Sequence, residues 1–336
     1  DAYNVAVGHQ AGLLVSTGVE NTLIGGLAGD ALNTGGGNTA VGYAALSSED
    51  GDGQNVAVGW KALENLNAGA QGRNVAVGYN AGNDLTTGRW NNLIGTYAGD
   101  ALTVGDANIA IGFQALSAED GHGRNIAIGY NALETQDAGA DAYNIAIGYD
   151  TGKAISTGAL NTLIGGRAGD ALTTGSSNTA IGEQSLSAET VGTYNVAIGR
   201  EALRTSTLSN KSIGIGYGAL YVQANTTSAV DTYNIAIGHL AGQAVTTGIQ
   251  NTLMGGLAGD ALTDGEDNVS LGYNALGAET SGDGNVALGW STLPVQNGAN
   301  YNIAIGHQAG KVNATGATHV FVGRDTGLLT TAADNL

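Results

Sequence analysis

The sequence predicts an all-β fold, a parallel β-solenoid (β-roll) of about nineteen stacked turns, and three observations predict it. A five-residue phrase, Asn-x-small-aliphatic-Gly, opens as Asn4-Val5-Ala6-Val7-Gly8 and returns nineteen times in 336 residues. Its copies lie seventeen residues apart, except for two steps of nineteen and one of twenty-two. In every copy the fourth residue is aliphatic or Met and the fifth is Gly. So strict a period means that one short unit stacks on itself, each turn burying apolar surface against the next.

Position by position, each column of the repeat has a reading. The first is Asn4, Asn21, Asn38, Asn55, Asn74, Asn91, Asn108, Asn125, Asn144, Asn161, Asn178, Asn195, Asn234, Asn251, Asn268, Asn285 and Asn302, with Ser212 and His319 in the same slot. A stacked Asn can bond backbone groups at a corner and the Asn of the next turn, so this column is expected to be a structural ladder. β-Branched residues at positions two and four, then Gly, read as a short strand and a tight corner. Positions two and four are expected to line the inside of each coil. The third position, mostly Ala, is expected to face outward and to need cover from another coil wall or another subunit.

The eighth position is Ala in fifteen turns, and the ninth is always Gly or Leu. The ninth runs Gly12, Gly29, Leu46, Leu63, then Gly82, Gly99, Leu116, Leu133, and the order recurs, so four turns form a larger unit. These super-repeats start near residues 4, 74, 144, 234 and 302, within one continuous domain spanning 1–336. A second strand is expected through the eighth and ninth positions, making the coil two-sided. At about 4.8 Å per strand the turns would span roughly 90 Å.

Composition narrows the function. The net charge is -18 with 11 Lys and Arg, which argues against a nucleic-acid partner. There is no Cys, hence no disulfide or thiolate metal site, and no apolar run long enough to insert in a membrane. The chain opens on Asp1 without Met and is expected to be a stretch of something longer.

Phrases such as Asn195-Val196-Ala197-Ile198-Gly199 and Asn178-Thr179-Ala180-Ile181-Gly182 resemble the head repeats of trimeric autotransporter adhesins and the related repeats of phage tail fibres. The resemblance covers essentially the whole chain. It implies a left-handed roll, three copies about a threefold axis, and no enzymatic activity. The longer turns depart from the usual adhesin head and lean toward a phage-type or divergent fibre.

Few residues suggest chemistry. Gly214-Ile215-Gly216-Tyr217-Gly218-Ala219 fits a dinucleotide fingerprint but is the ordinary repeat with no βαβ unit around it. His9, His239 and His307 share one column without a second ligand, and no catalytic, cofactor or metal residue is assigned. Asp30, Asp100, Asp170 and Asp260 are too far apart to pair and read as surface charge or turn caps. The sixth position carries Tyr43, Trp60, Tyr79, Tyr130, Tyr149, Tyr217, Tyr273 and Trp290, either packing along the coil edge or forming a platform for a glycan or cell-surface receptor. The longer steps, Glu64–Arg73, Glu134–Tyr143 and Leu220–Tyr233, are expected lateral contact sites. The expected function is a non-enzymatic, trimeric structural or adhesive fibre segment on a virion (tail fibre) or bacterial cell surface. The alternative is an extracellular filament subunit stacking end to end, since both chain ends stop within the repeat frame.

Overall fold

The computed structural model describes residues 2–51, 53–69, 71–223 and 229–327. These form two compact units, Asp1–Gly166 and Arg167–Leu336. Among the described residues all regular structure is strand. The first unit carries β1 (Val5–Val7), β2 (Thr22–Ile24), β3 (Thr39–Val41), β4 (Val56–Val58), β5 (Val75–Val77), β6 (Asn92–Ile94), β7 (Ile109–Ile111), β8 (Ile126–Ile128), β9 (Ile145–Ile147) and β10 (Thr162–Ile164). Each pairs in parallel with the next in unbroken register, as Val5 with Thr22 and Ala6 with Leu23. The steps of nineteen residues leave this register intact, Ala57 pairing with Ala76 and Ala127 with Ala146.

The second unit carries β11 (Thr179–Ile181), β12 (Val196–Ile198), β13 (Ser209–Asn210), β14 (Ile213–Ile215), β15 (Val230–Asp231), β16 (Ile235–Ile237), β17 (Thr252–Met254), β18 (Val269–Leu271), β19 (Val286–Leu288), β20 (Ile303–Ile305) and β21 (Val320–Val322). Its coil strands follow the same parallel ladder, and β13 pairs with β15 as a separate two-stranded sheet. Both units are thus parallel β-solenoids with a period of about seventeen residues.

Two expectations about the coil are corrected. The inside and outside of the strand are exchanged: the third residue is the buried one, with Ala40, Ala57, Leu93 and Leu163 fully enclosed, while positions two and four are half-exposed. Both faces of the strand are apolar, so polarity could not separate them; size does. Position three takes Ala or Leu in most coils, and the β-branched residues at positions two and four are turned out. The second strand is also absent. Positions eight and nine lie in turns, although their backbones still bond from coil to coil, as Gly12 N–H to Ala28 C=O and Leu46 N–H to Ala62 C=O.

The ninth position cannot be a strand because it is left-handed, with φ of 60° at Gly12, 54° at Leu46 and 51° at Leu63. A Leu there costs about 1–2 kcal/mol of backbone energy, which burial of its side chain, worth about 1.5–3 kcal/mol, offsets. Where the third position of the same coil or of the next one is Leu, there is no room for both. A Cβ on Gly12 would meet Leu23 Cδ1 at 2.8 Å, and one on Gly29 would meet Leu23 Cδ2 at 2.8 Å. Leu93 fills the space over Gly82 and Gly99 in the same way, as does Leu253 over Gly242 and Gly259. The alternation of Gly and Leu at position nine is therefore volume bookkeeping against position three.

The invariant fifth Gly has a different cause. At Gly95, φ is 138°, and a Cβ would sit 2.3 Å from the carbonyl oxygen of Gly112 in the next coil. Backbone meets backbone there, so no side chain can be accommodated.

Leu253 and Gly259 isolate the volume rule, since the three atoms nearest to a Cβ on Gly259 all belong to Leu253, the closest at 2.9 Å. Leu253→Ala is expected to cost about 2–5 kcal/mol through its cavity. In a double-mutant cycle followed by urea unfolding, Gly259→Ala with Leu253→Ala should cost about 1 kcal/mol less than the sum of the singles. Additive losses would reject the pairing.

Candidate functional site

The surface that could meet a partner is built from three columns, at positions two, four and six of each turn. Positions two and four project outward from the strand, the fifth-position Gly turns the corner, and the sixth position projects beside them. Ile94, Ile147, Ile164, Met254 and Leu271 are among the half-exposed aliphatic side chains of this face. The eight sixth-position rings named from sequence are all exposed, between 42% and 51%.

Those rings are stacked on one another rather than held apart. Tyr43 and Trp60 lie 4.4 Å apart and 23° from parallel. Tyr79, Tyr97, Phe113, Tyr130 and Tyr149 form an unbroken series, with Tyr97 reaching in from position seven because position six of its turn is Thr96. In the second unit, Tyr217 stacks on His239, and Tyr273, Trp290 and His307 stack in sequence. Ring pairs of this kind add about 0.5–1.5 kcal/mol beyond area burial. Most contacts are face to face, while Tyr97 meets Tyr79 and Phe113 edge to face, so much of each ring face is used by a neighbour. Such a surface offers hydrogen bonds and edge contacts to a ligand, with free faces only where a series ends. His9, His239 and His307 belong to this aromatic column, and His307 has Asp325 at 3.8 Å.

The Asn column lies on the opposite side of the strand, buried. Asn91 shows its work: its Oδ1 accepts the Asn108 backbone N–H at 2.8 Å, and its Nδ2 donates to the Gly105 carbonyl at 2.8 Å. Its own backbone N–H donates to Asn74 Oδ1 at 2.9 Å. The same bonds recur from Asn21 onto Asn4 and from Asn302 onto Asn285. One side chain thereby satisfies a buried donor in the next coil and a buried acceptor fourteen residues on.

Of the longer steps, Ala70 and residues 224–228, which include Asn225, lie outside the described residues. The third step is fastened to the preceding coil by β13 and β15 and by Lys211 Nζ to Asp231 at 2.6 Å. In the second step, Arg124 pairs with Asp141 and donates to the Tyr143 hydroxyl at 2.6 Å.

A column missed from sequence is position twelve. In Gly-type turns it is a buried aliphatic residue such as Leu32, Leu85 or Ile155, and in the third turn of four successive super-repeats it is Glu49, Glu119, Glu189 and Glu279. All four glutamates are fully buried. Their spacing on the super-repeat frame was a visible signal. In the comparisons with known proteins, no family model and no curated protein matches this chain.

The tenth-position aspartates act locally. Asp30 and Asp260 accept backbone N–H groups of their own turn, and burial pushes both carboxyls up. Asp100 is pushed up to about 6, mainly by burial, with its own N–H opposing and the charge of Asp84 adding to it. A folded-state value above the ordinary 3.8 means that the fold favours the neutral acid, so this contribution is present below 3.8 and is lost as pH rises through about 6. Melting temperatures of the wild type and Asp100→Asn across that window should therefore diverge, the wild type falling relative to the variant as pH rises. Parallel curves would show that Asp100 does not titrate in the fold.

Proposed function

We propose that this chain is a non-enzymatic structural and adhesive fibre segment, a stiff β-solenoid of a virion tail fibre or a bacterial cell surface. The observation that carries the reading is the outer strand face. Position four presents an aliphatic or Met side chain in every coil and position two a Val or Ile in most, largely half-exposed, with the aromatic column beside them. Isolated apolar side chains at a surface are ordinary, but a repeating stripe marks an interaction surface. A parallel sheet is normally covered on both faces, and here the coil covers only one. The occupant we propose for the other is a second and third copy of the chain, packed side by side as a homotrimer. The net charge of -18 on the rest of the surface supports solubility rather than binding to nucleic acid.

In this reading the aromatic column is the contact surface for a cell-surface glycan or receptor. Such a fibre works without a catalytic group, cofactor or metal. Repetition sets its reach, while interlocked backbone bonds resist unfolding.

Light scattering over a concentration series tests the assembly. A constant mass of three times 33.4 kDa is expected, falling toward the monomer when the outward-facing Ile147 and Ile164 are replaced by Lys. A wild-type monomer would remove the basis for the proposal, and mass growing with concentration would replace the trimer with an end-to-end filament. A glycan array supplies the second test. Trp60→Ala and Trp290→Ala should weaken binding together; retained binding in both would assign the rings to packing alone.

A further inference from the structure

Glu119, Asp120 and His122 occupy one short loop of the seventh coil, and one ligand-capable atom from each lies within 4.8 Å of the others. Three of the buried position-twelve glutamates allow a comparison of the same slot in different company. Glu189 Oε1 accepts backbone N–H groups from Thr190, Gly192 and Leu208 at 2.9–3.0 Å, and its Oε2 accepts from Ser209 N–H at 3.0 Å. Glu279 Oε1 accepts from Thr280, Gly282 and Gly298, and its Oε2 accepts from Gln296 Nε2 at 3.0 Å. These two carboxylates are saturated by the protein.

Glu119 is not. Its side chain is equally buried, with 0% exposed. Oε1 accepts the His122 backbone N–H at 3.1 Å, while Oε2 has no hydrogen-bond partner. A buried carboxylate oxygen without a partner is costly, and a compensating charge is the usual remedy. His122 Nδ1 is buried too, has no hydrogen-bond partner, and lies 3.5 Å from Glu119 Oε1. A proton carried by one of the two groups, or a cation held by both, would satisfy such a pair. Ligand atoms on a tetrahedral zinc ion, each at about 2.0–2.2 Å, stand about 3.4 Å apart. Asp120, exposed at the mouth, completes the set and leaves an entry path, and the His122 ring is itself partly exposed.

The loop backbone is held from its own coil and from the one before. Asn108 Nδ2 donates to the His122 carbonyl at 3.2 Å, and Thr103 Oγ1 donates to the Asp120 carbonyl at 2.6 Å.

We propose that Glu119, Asp120 and His122 form a binding site for a divalent transition cation of the zinc class, one per chain. One nitrogen and two carboxylate ligands favour such an ion over Ca²⁺ or Mg²⁺, which take oxygen. The saturated slots at Glu189 and Glu279 carry Thr in place of Asp120 and no His, and are not sites. Glu49 opens the same Glu-Asp-Gly-x-Gly loop with Asp52 where His122 stands, so it lacks the nitrogen ligand.

Equilibrium dialysis of the intact chain against Zn²⁺ at neutral pH, with elemental analysis, tests the site. One bound Zn²⁺ per chain is expected, weakened at least about tenfold by His122→Ala and by Glu119→Gln, and unchanged by His9→Ala or His307→Ala. His122→Ala touches only a partly exposed ring, and an unaltered circular dichroism spectrum will show that the coil is intact. No zinc bound by the wild type would mean that a proton on His122 serves instead, overturning the proposal. Binding that survives His122→Ala, or that equimolar Ca²⁺ displaces, would overturn it equally.

Discussion

The interior of each coil is one side chain thick, and the rest of the structure depends on that limit. Positions three, eight, nine and twelve all point into the same narrow space, and their volumes must sum to what adjacent coils leave open. A Leu at position three removes the side chain from position nine of its own coil and of the coil before it, as Leu93 does for Gly99 and Gly82. Where position three is small both in a coil and in the one after it, as at Ala57 and Ala76, position nine becomes Leu and accepts a left-handed backbone to reach the core. The four-turn super-repeat is the shortest arrangement of these exchanges that the chain uses. It is a packing code, and its period carries no functional message of its own.

The same limit explains which parts of the fold were legible. Period, strand position and corner Gly followed from patterns that physics allows in one way only: a Cβ at Gly95 would lie 2.3 Å from the next coil's carbonyl oxygen, which leaves no alternative residue. The orientation of the strand did not follow, because Ala57 and its neighbours Val56 and Val58 are all apolar, and hydropathy ranks the β-branched pair as the better core. Tightness of the interior, which decides the matter, is a property of stacked coils and has no signature in a single turn. The missing second strand has a related cause. Alternation at positions eight to twelve looks extended, yet Leu63 with φ of 51° cannot be a strand residue, and nothing in a Leu announces a left-handed backbone. In the candidate contact surface, the sixth-position rings were readable as a column, but their mutual stacking was not.

Position twelve shows how a repeat can hide chemistry. In a core this thin, a buried carboxylate is tolerable only if the turn beneath it supplies donors, and Glu189 and Glu279 obtain them from successive backbone N–H groups. The slot is thus an anion cradle first. The Glu119 loop, with Asp120 and His122, differs from these in what surrounds the carboxylate, while Asn125 N–H still bonds Asn108 Oδ1 and the strand register is kept. A repetitive scaffold lets single turns acquire a local property at little structural cost, which is the logic of loops on rigid frameworks.

Stacking also disciplines charge. A column that repeated one charged residue would set like charges about 4.8 Å apart along the whole series. With only 12% charged residues, the chain instead pairs opposite signs across adjacent coils: Lys153 with Glu134 at 3.3 Å, Lys211 with Asp231 at 2.6 Å, Arg200 with Glu183 at 3.4 Å. Exposed pairs of this kind contribute little stability singly. Their value is in register, because a slip by one coil would set each acid beside a different neighbour. The aromatic series answer the same requirement without charge, since identical rings attract where identical carboxylates repel. That difference accounts for a surface that stacks aromatic rings in series while its acids are dispersed.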